Sequence, residues 1–162
     1  VYEFGPFRVR FHPARHIPFP APLRWLLPKS GEIREPLNHP TPFWTYHPGE
    51  VYAIQVDNTL IFGSAGFEPG AYDHLDLKAV ILGVGGLETR PAAYLRRLYR
   101  ETVLATGAGR VWLSHWDHFF RPLDRGLRQL ALSGWTVRKI KALGAGHGQG
   151  VATLPFNQPL SI

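Results

Sequence analysis

Residues 79–114 read AVILGVGGLETRPAAYLRRLYRETVLATGAGRVWLS, and the order of patterns within them decides the fold class. Ala79-Val80-Ile81-Leu82-Gly83-Val84 is a short continuous apolar run, as a strand buried on both faces would be. Gly85-Gly86 ends it. Pro91 suits a first helical turn, where its missing N–H costs nothing. Leu95, Leu98, Val103 and Leu104 follow near helical spacing, with Arg96, Arg97 and Arg100 opposite. Residues 91–105 therefore read as a helix that Gly107 stops. Arg110-Val111-Trp112-Leu113-Ser114 is a second short buried strand. Strand, helix and strand in this order imply an α/β layered body.

Upstream, Val51–Val56 and Thr59–Phe62 flank Asp57-Asn58, a two-residue turn, and read as a hairpin running into Gly63-Ser64-Ala65-Gly66. Residues 1–12 give another hairpin: an extended start, a Gly5-Pro6 turn, then Phe7–Phe11 alternating with period two. Between the hairpins, residues 13–49 hold nine prolines. Proline removes donors and fixes φ, so 17–48 is expected to be a long loop, anchored by Trp25, Phe43, Trp44 and Tyr46. Downstream, 122–132 reads as a second helix with Gly134 as its stop. Residues 135–140 and 150–155 read as closing strands, and Gly144–Gly150 as a flexible connection. The expectation is one α/β domain over 1–162 with a mixed sheet, its early hairpins supplying antiparallel edges.

Composition agrees with a folded core. Of 162 residues, 44% are hydrophobic and 19% charged, which excludes a generally disordered chain. No cysteine occurs, which excludes disulfides, thiolate metal sites and cysteine nucleophiles. No stretch approaches the ~18 apolar residues of a membrane span. The compartment stays open between cytoplasm and export. The chain begins at Val1 in the middle of an apolar pattern, as a processed product or a piece of a longer one would. Net charge is +6. A basic surface attracts phosphates, but the charges are scattered apart from Arg96, Arg97 and Arg100 and the run Arg138-Lys139-Ile140-Lys141. Solvated faces are the favoured reading, and nucleic acid is the less favoured partner.

Chemistry points to histidine. Eight are present, and without cysteine a metal site would draw on His, Asp or Glu, which suits zinc, manganese or iron. No H-x-H or H-x-x-x-H pair occurs. His115 has the best context: it leaves the strand ending at Ser114 and continues into Trp116-Asp117-His118. Groups at the carboxyl ends of buried strands commonly build the site in α/β folds. His16 stands where the first hairpin gives way to the proline-rich stretch. Gly63-Ser64-Ala65-Gly66 follows a strand as an anion-binding turn would, but a plain turn is the commoner outcome and it lacks the G-x-S-x-G pattern.

Together these motifs resemble the C-terminal portion of a metallo-β-lactamase-fold hydrolase. The nearest branch is that of the ascorbate-phosphate lactonases and the phospholipase D acting on N-acylethanolamine phospholipids. The resemblance rests on Ala14-Arg15-His16 after a hairpin, on the second hairpin entering Gly63–Gly66, on Ala79–Gly86, and on Leu113-Ser114-His115-Trp116. It implies part of a four-layer αβ/βα sandwich carrying one or two metal ions at one edge. His16 and His115 would be ligands, and Ser64, Trp116, Asp117 and His118 would support them or face the substrate. Ser64 falls where the family has a bridging Asp. The family's H-x-H-x-D-H segment is absent from these residues, so a partner chain or an N-terminal half would have to supply it. The implied activity is hydrolysis of an ester, lactone, lactam or phosphodiester in a small-molecule substrate. The alternatives are a non-catalytic binding module that keeps the fold without metal, and a basic nucleic-acid binder.

Overall fold

Among the described residues, seven strands form one mixed sheet in the order in which they occur along the chain. The computed structural model describes residues 1–18, 50–118, 121–130 and 132–159. The proline-rich loop beyond Pro18, with Trp25, Phe43, Trp44 and Tyr46, lies outside the described residues. The strands are β1 (Tyr2–Phe4), β2 (Phe7–Ala14), β3 (Val51–Val56), β4 (Thr59–Phe62), β5 (Ala79–Gly83), β6 (Arg110–Ser114) and β7 (Gly150–Thr153). β1 to β4 pair antiparallel, and β4 to β7 pair parallel. Both early hairpins form as their turn residues predict. Asp57 takes the positive φ, 49°, that such a two-residue turn needs.

The parallel half is built from crossovers. Helix α1 (Ala92–Thr102) joins β5 to β6 and opens after Pro91. Its buried residues Leu95, Leu98, Tyr99 and Thr102 recur at helical spacing and face the sheet. A single 3₁₀ turn, Leu104–Thr106, ends the crossover at Gly107, whose φ of 66° no side-chain-bearing residue adopts cheaply. Helix α2 (Ser133–Gly146) joins β6 to β7.

Two expectations are corrected in this second crossover. Residues 122–132 are not a helix: Leu123–Arg125 make one 3₁₀ turn, Gly126 at φ 71° breaks the spiral, and Asp117 pairs with Gln129 in an antiparallel bridge. Residues 135–140 are not a strand but the front of α2. Alternation would bury Trp135 and Lys139 with Val137. Instead Ser133, Thr136, Val137, Ile140 and Gly144 are buried, the spacing of one helix face. Gly134 accordingly starts the helix rather than stopping one. Gly144 is no flexible link either. A methyl there would strike Val151 of β7 and come within 3.0 Å of the Tyr99 hydroxyl, so glycine is what lets α2 lie close on the sheet.

The core lies between the helices and one sheet face. Leu60, Leu82, Val80, Val111 and Leu113 are fully buried there beneath Leu98, Val103 and Ile140. At roughly 1.5–3 kcal/mol for each large side chain buried, this layer is the main source of stability. No described helix is long and apolar enough to cross a membrane.

Candidate functional site

The carboxyl ends of β4, β5 and β6 open on the same edge, because these strands run parallel in adjacent positions. Three exits meet there: Gly63–Gly66 after β4, Val84–Gly86 after β5, and His115 after β6. The chain leaving β2 crosses the same edge as Arg15-His16-Ile17. Its approach is close. A Cβ on Gly66 would run into the Arg15 carbonyl oxygen and lie 2.6 Å from the carbonyl carbon of His16. The Ile17 amide donates to Ser64 Oγ at 3.1 Å. Gly83 packs on Ser64, where a Cβ would stand 3.1 Å from the Ser64 nitrogen. Gly85 packs on His115, whose Cβ would be 3.3 Å from a methyl at that position. Gly86 faces Ile17. Glycines thus let backbone meet backbone, and residues 16, 64 and 115 come to one edge from three separate segments.

Anchors hold the crossing segment in place. Arg15 forms a two-pronged ion pair with Glu68, one arm at 2.9 Å. Tyr72 donates to the Pro13 carbonyl at 2.7 Å, and Arg90 donates to that of Pro18. Tyr94 donates to the Ala65 carbonyl at 2.9 Å from beneath the turn. Burial pushes the Tyr72 phenol up to about 12 and raises that of Tyr94, so both stay neutral donors.

His16 is exposed, and its Nδ1 lies 3.0 Å from the carbonyl of Ile17. A carbonyl only accepts, so Nδ1 carries the proton and the lone pair of the neutral ring is on Nε2. Histidine ligands are oriented in this way, by an N–H given to a carbonyl on the far side. His115 is also exposed and sits at φ 55°, in the left-handed region. For a residue with a Cβ that costs about 1–2 kcal/mol. The strain has a local cause. Ser114 is tied to β5 by the Val84 amide at 2.9 Å. The Trp116 carbonyl is held by Ser133 Oγ at 2.8 Å. The chain must turn between these two points, and backbone strain of this kind concentrates at functional sites.

Trp116, Asp117 and His118 lead away from this corner, half-buried. They are fixed along 128–130, with the His118 amide donating to the Arg128 carbonyl at 2.8 Å. Among the described residues no cluster of three or more His, Asp or Glu could hold a metal. The edge therefore offers two histidines, which is short of a closed four-ligand zinc site.

Glu88 and Arg90, which follow the Gly85-Gly86 turn, carry no motif by which their sequence would single them out. Glu88 Oε2 and Arg90 Nε are shut off from solvent and have no hydrogen-bond partner among the described residues, a condition rare enough in folded proteins to mark a position. The arginines of α1 are partly engaged. Arg97 lies 5.5 Å over the Phe67 ring, and Arg100 pairs with Glu101 at 3.0 Å. Comparison with protein-family models, with curated proteins and with solved structures gave no match.

Proposed function

We propose that this edge is part of a metal-dependent hydrolase site, with His16 and His115 as ligands to zinc, manganese or iron. The observation that carries the reading is the convergence of His16, Ser64 and His115 on the carboxyl edge of the parallel strands, with His115 held in a strained backbone. The proposed architecture is a four-layer αβ/βα sandwich of metallo-β-lactamase type, in which this sheet and its two helices form one αβ half. Two histidines fit as half of a ligand set. The remaining ligands would come from the facing half, in a partner chain or an N-terminal segment. A metal held there would supply a bound water with its pKa lowered towards 7 and would polarise the scissile bond. This chain's own residues would orient the His16 imidazole through Ile17 and fix His115 between β6 and α2. Ser64 would keep the crossing segment seated.

The test is turnover of a panel of small esters, lactones, lactams and phosphodiesters with added zinc. Slow turnover that saturates with zinc and vanishes in His115→Ala is expected. Turnover indifferent to a chelator, or unchanged in His115→Ala, would overturn the reading.

One observation favours a second reading, a non-catalytic module that keeps the fold. Ser64 Oγ is already engaged by the Ile17 amide, and a hydroxyl brings none of the negative charge of a bridging aspartate. Such a chain would bind neither zinc nor manganese under any loading condition.

A further inference from the structure

Both helices cover one face of the sheet. On that face a paired row runs Ala53, Phe62 across β3 and β4 and Leu82, Leu113 across β5 and β6, and all four are buried. The alternate positions make a second row on the opposite face. It takes one residue from each strand β2 to β7, in register: Phe11, Ile54, Ile61, Ile81, Trp112 and Ala152. None of the six is buried, and Phe11 is 50% exposed. Among the described residues no helix lies over this row.

The first hairpin indicates what this face is for. Its outer part is exposed on both sides, yet its two sides differ. Glu3, Arg8 and Arg10 point one way; Tyr2, Phe4, Phe7 and Phe11 point the other. Side chains sort in this manner when one side is to be buried. Tyr2, Phe11 and Tyr52 already interlock edge to face, with centroids 5.8 and 6.0 Å apart. Among the described strand residues, Arg110 is the only charged side chain in an outward position on this face.

We propose that this face is a dimer interface, on which a second copy of the chain packs its own identical face, sheet upon sheet. The area suffices. Seven strands at ~4.8 Å spacing and ~3.3 Å per residue, the shortest β1 and the longest β2, cover roughly 500–600 Å² per copy before side-chain relief is counted. Two copies together then reach the ~1,000 Å² that a specific interface needs. The face carries almost no charge pattern that an unlike partner would have to match. A neutral apolar face is complementary to itself about a twofold axis, and closure about that axis stops further growth. A second copy seated here would occupy the face on which the proposed sandwich puts its facing half, so a dimer makes that half the copy itself; a chain that stays monomeric overturns the dimer alone and leaves the metal site to its own test by metal content.

Sedimentation velocity of the 162-residue chain across micromolar concentrations tests it. A species of twice the 18.2 kDa chain mass is expected. Phe11→Asp/Ile54→Asp should weaken dimerisation at least about 30-fold, the loss expected for central interface anchors. Arg10→Asp, on the opposite side of the hairpin, should leave it intact. Because the chain has no cysteine, Ile81→Cys gives a second readout that does not depend on the charged variant folding. Its thiol should react slowly with a maleimide at concentrations where the dimer forms and faster on dilution, whereas Arg10→Cys should react at one rate throughout. A monomeric wild type, open-ended aggregation, or a dimer unaffected by Phe11→Asp/Ile54→Asp would overturn the proposal.

Discussion

Replacing Gly66 by alanine attacks the joint that brings the candidate site together. The new methyl would collide with the Arg15 carbonyl oxygen and sit 2.6 Å from the carbonyl carbons of Arg15 and His16. Ordinary carbon contacts are ~3.5–4 Å, so the crossing segment must retreat by roughly 1 Å. That movement breaks the 3.1 Å bond from the Ile17 amide to Ser64 Oγ. A buried amide left without an acceptor costs about 1–3 kcal/mol, and overpacking adds about 1–3 kcal/mol. The sum is about 2–6 kcal/mol, which for a chain of this size lowers Tm by roughly 4–24 °C. Gly63→Ala is the matched control, since nothing lies within 4 Å of a methyl there. It should be neutral or stabilise by up to about 1 kcal/mol. Thermal unfolding followed by circular dichroism reads both. A Gly66→Ala protein that melts with the wild type would refute the close crossing of Arg15–Ile17 over the Ser64 turn.

Two further outcomes follow from the same geometry. His115→Gly should be about 1 kcal/mol more stable than His115→Ala in urea unfolding, because glycine accepts φ 55° without penalty; equal stabilities would remove the strain from the account. At high pH, stability should fall between about pH 10 and 12. Burial pushes Tyr72 and Tyr99 up to about 12 from the ordinary 10.0, so the folded state favours the neutral phenols. Their contribution is complete below pH 10 and is lost as pH rises through 12. Urea unfolding against pH, alongside Tyr99→Phe, checks this: the variant should lose part of the alkaline slope, and an unchanged slope would contradict the assignment.

The parts of the fold that local chemistry punctuates were legible in the sequence. Pro91 and Gly107 bracket the first crossover, Asp57-Asn58 sets a hairpin, and the apolar runs at 79–84 and 110–114 are the central parallel strands. The second crossover was not legible. Trp135-Thr136-Val137 has the composition of a strand, and what makes it helical is the fit of Thr136, Val137, Ile140 and Gly144 against the sheet. The contact between Gly144 and Val151 exists only after folding. At the site, strand exits pointed to His16 and His115. Sequence could not show that Ser64 holds Ile17, 47 positions away along the chain. Nor could it show that His115 turns left-handed, since that depends on where β5 and α2 pin its neighbours. Glu88 and Arg90 give no local signal at all; only their closure from solvent marks them.

Elemental analysis of the chain, purified without chelator after growth with added zinc, decides whether His16 and His115 hold a metal. It should be run beside the His16→Ala/His115→Ala double variant, with circular dichroism to confirm that both are folded. Up to about one metal ion per chain is expected, or one per two chains where two copies share a site, and its loss from the double variant. Equal metal in both proteins, or none in either, would contradict a metal site built on His16 and His115.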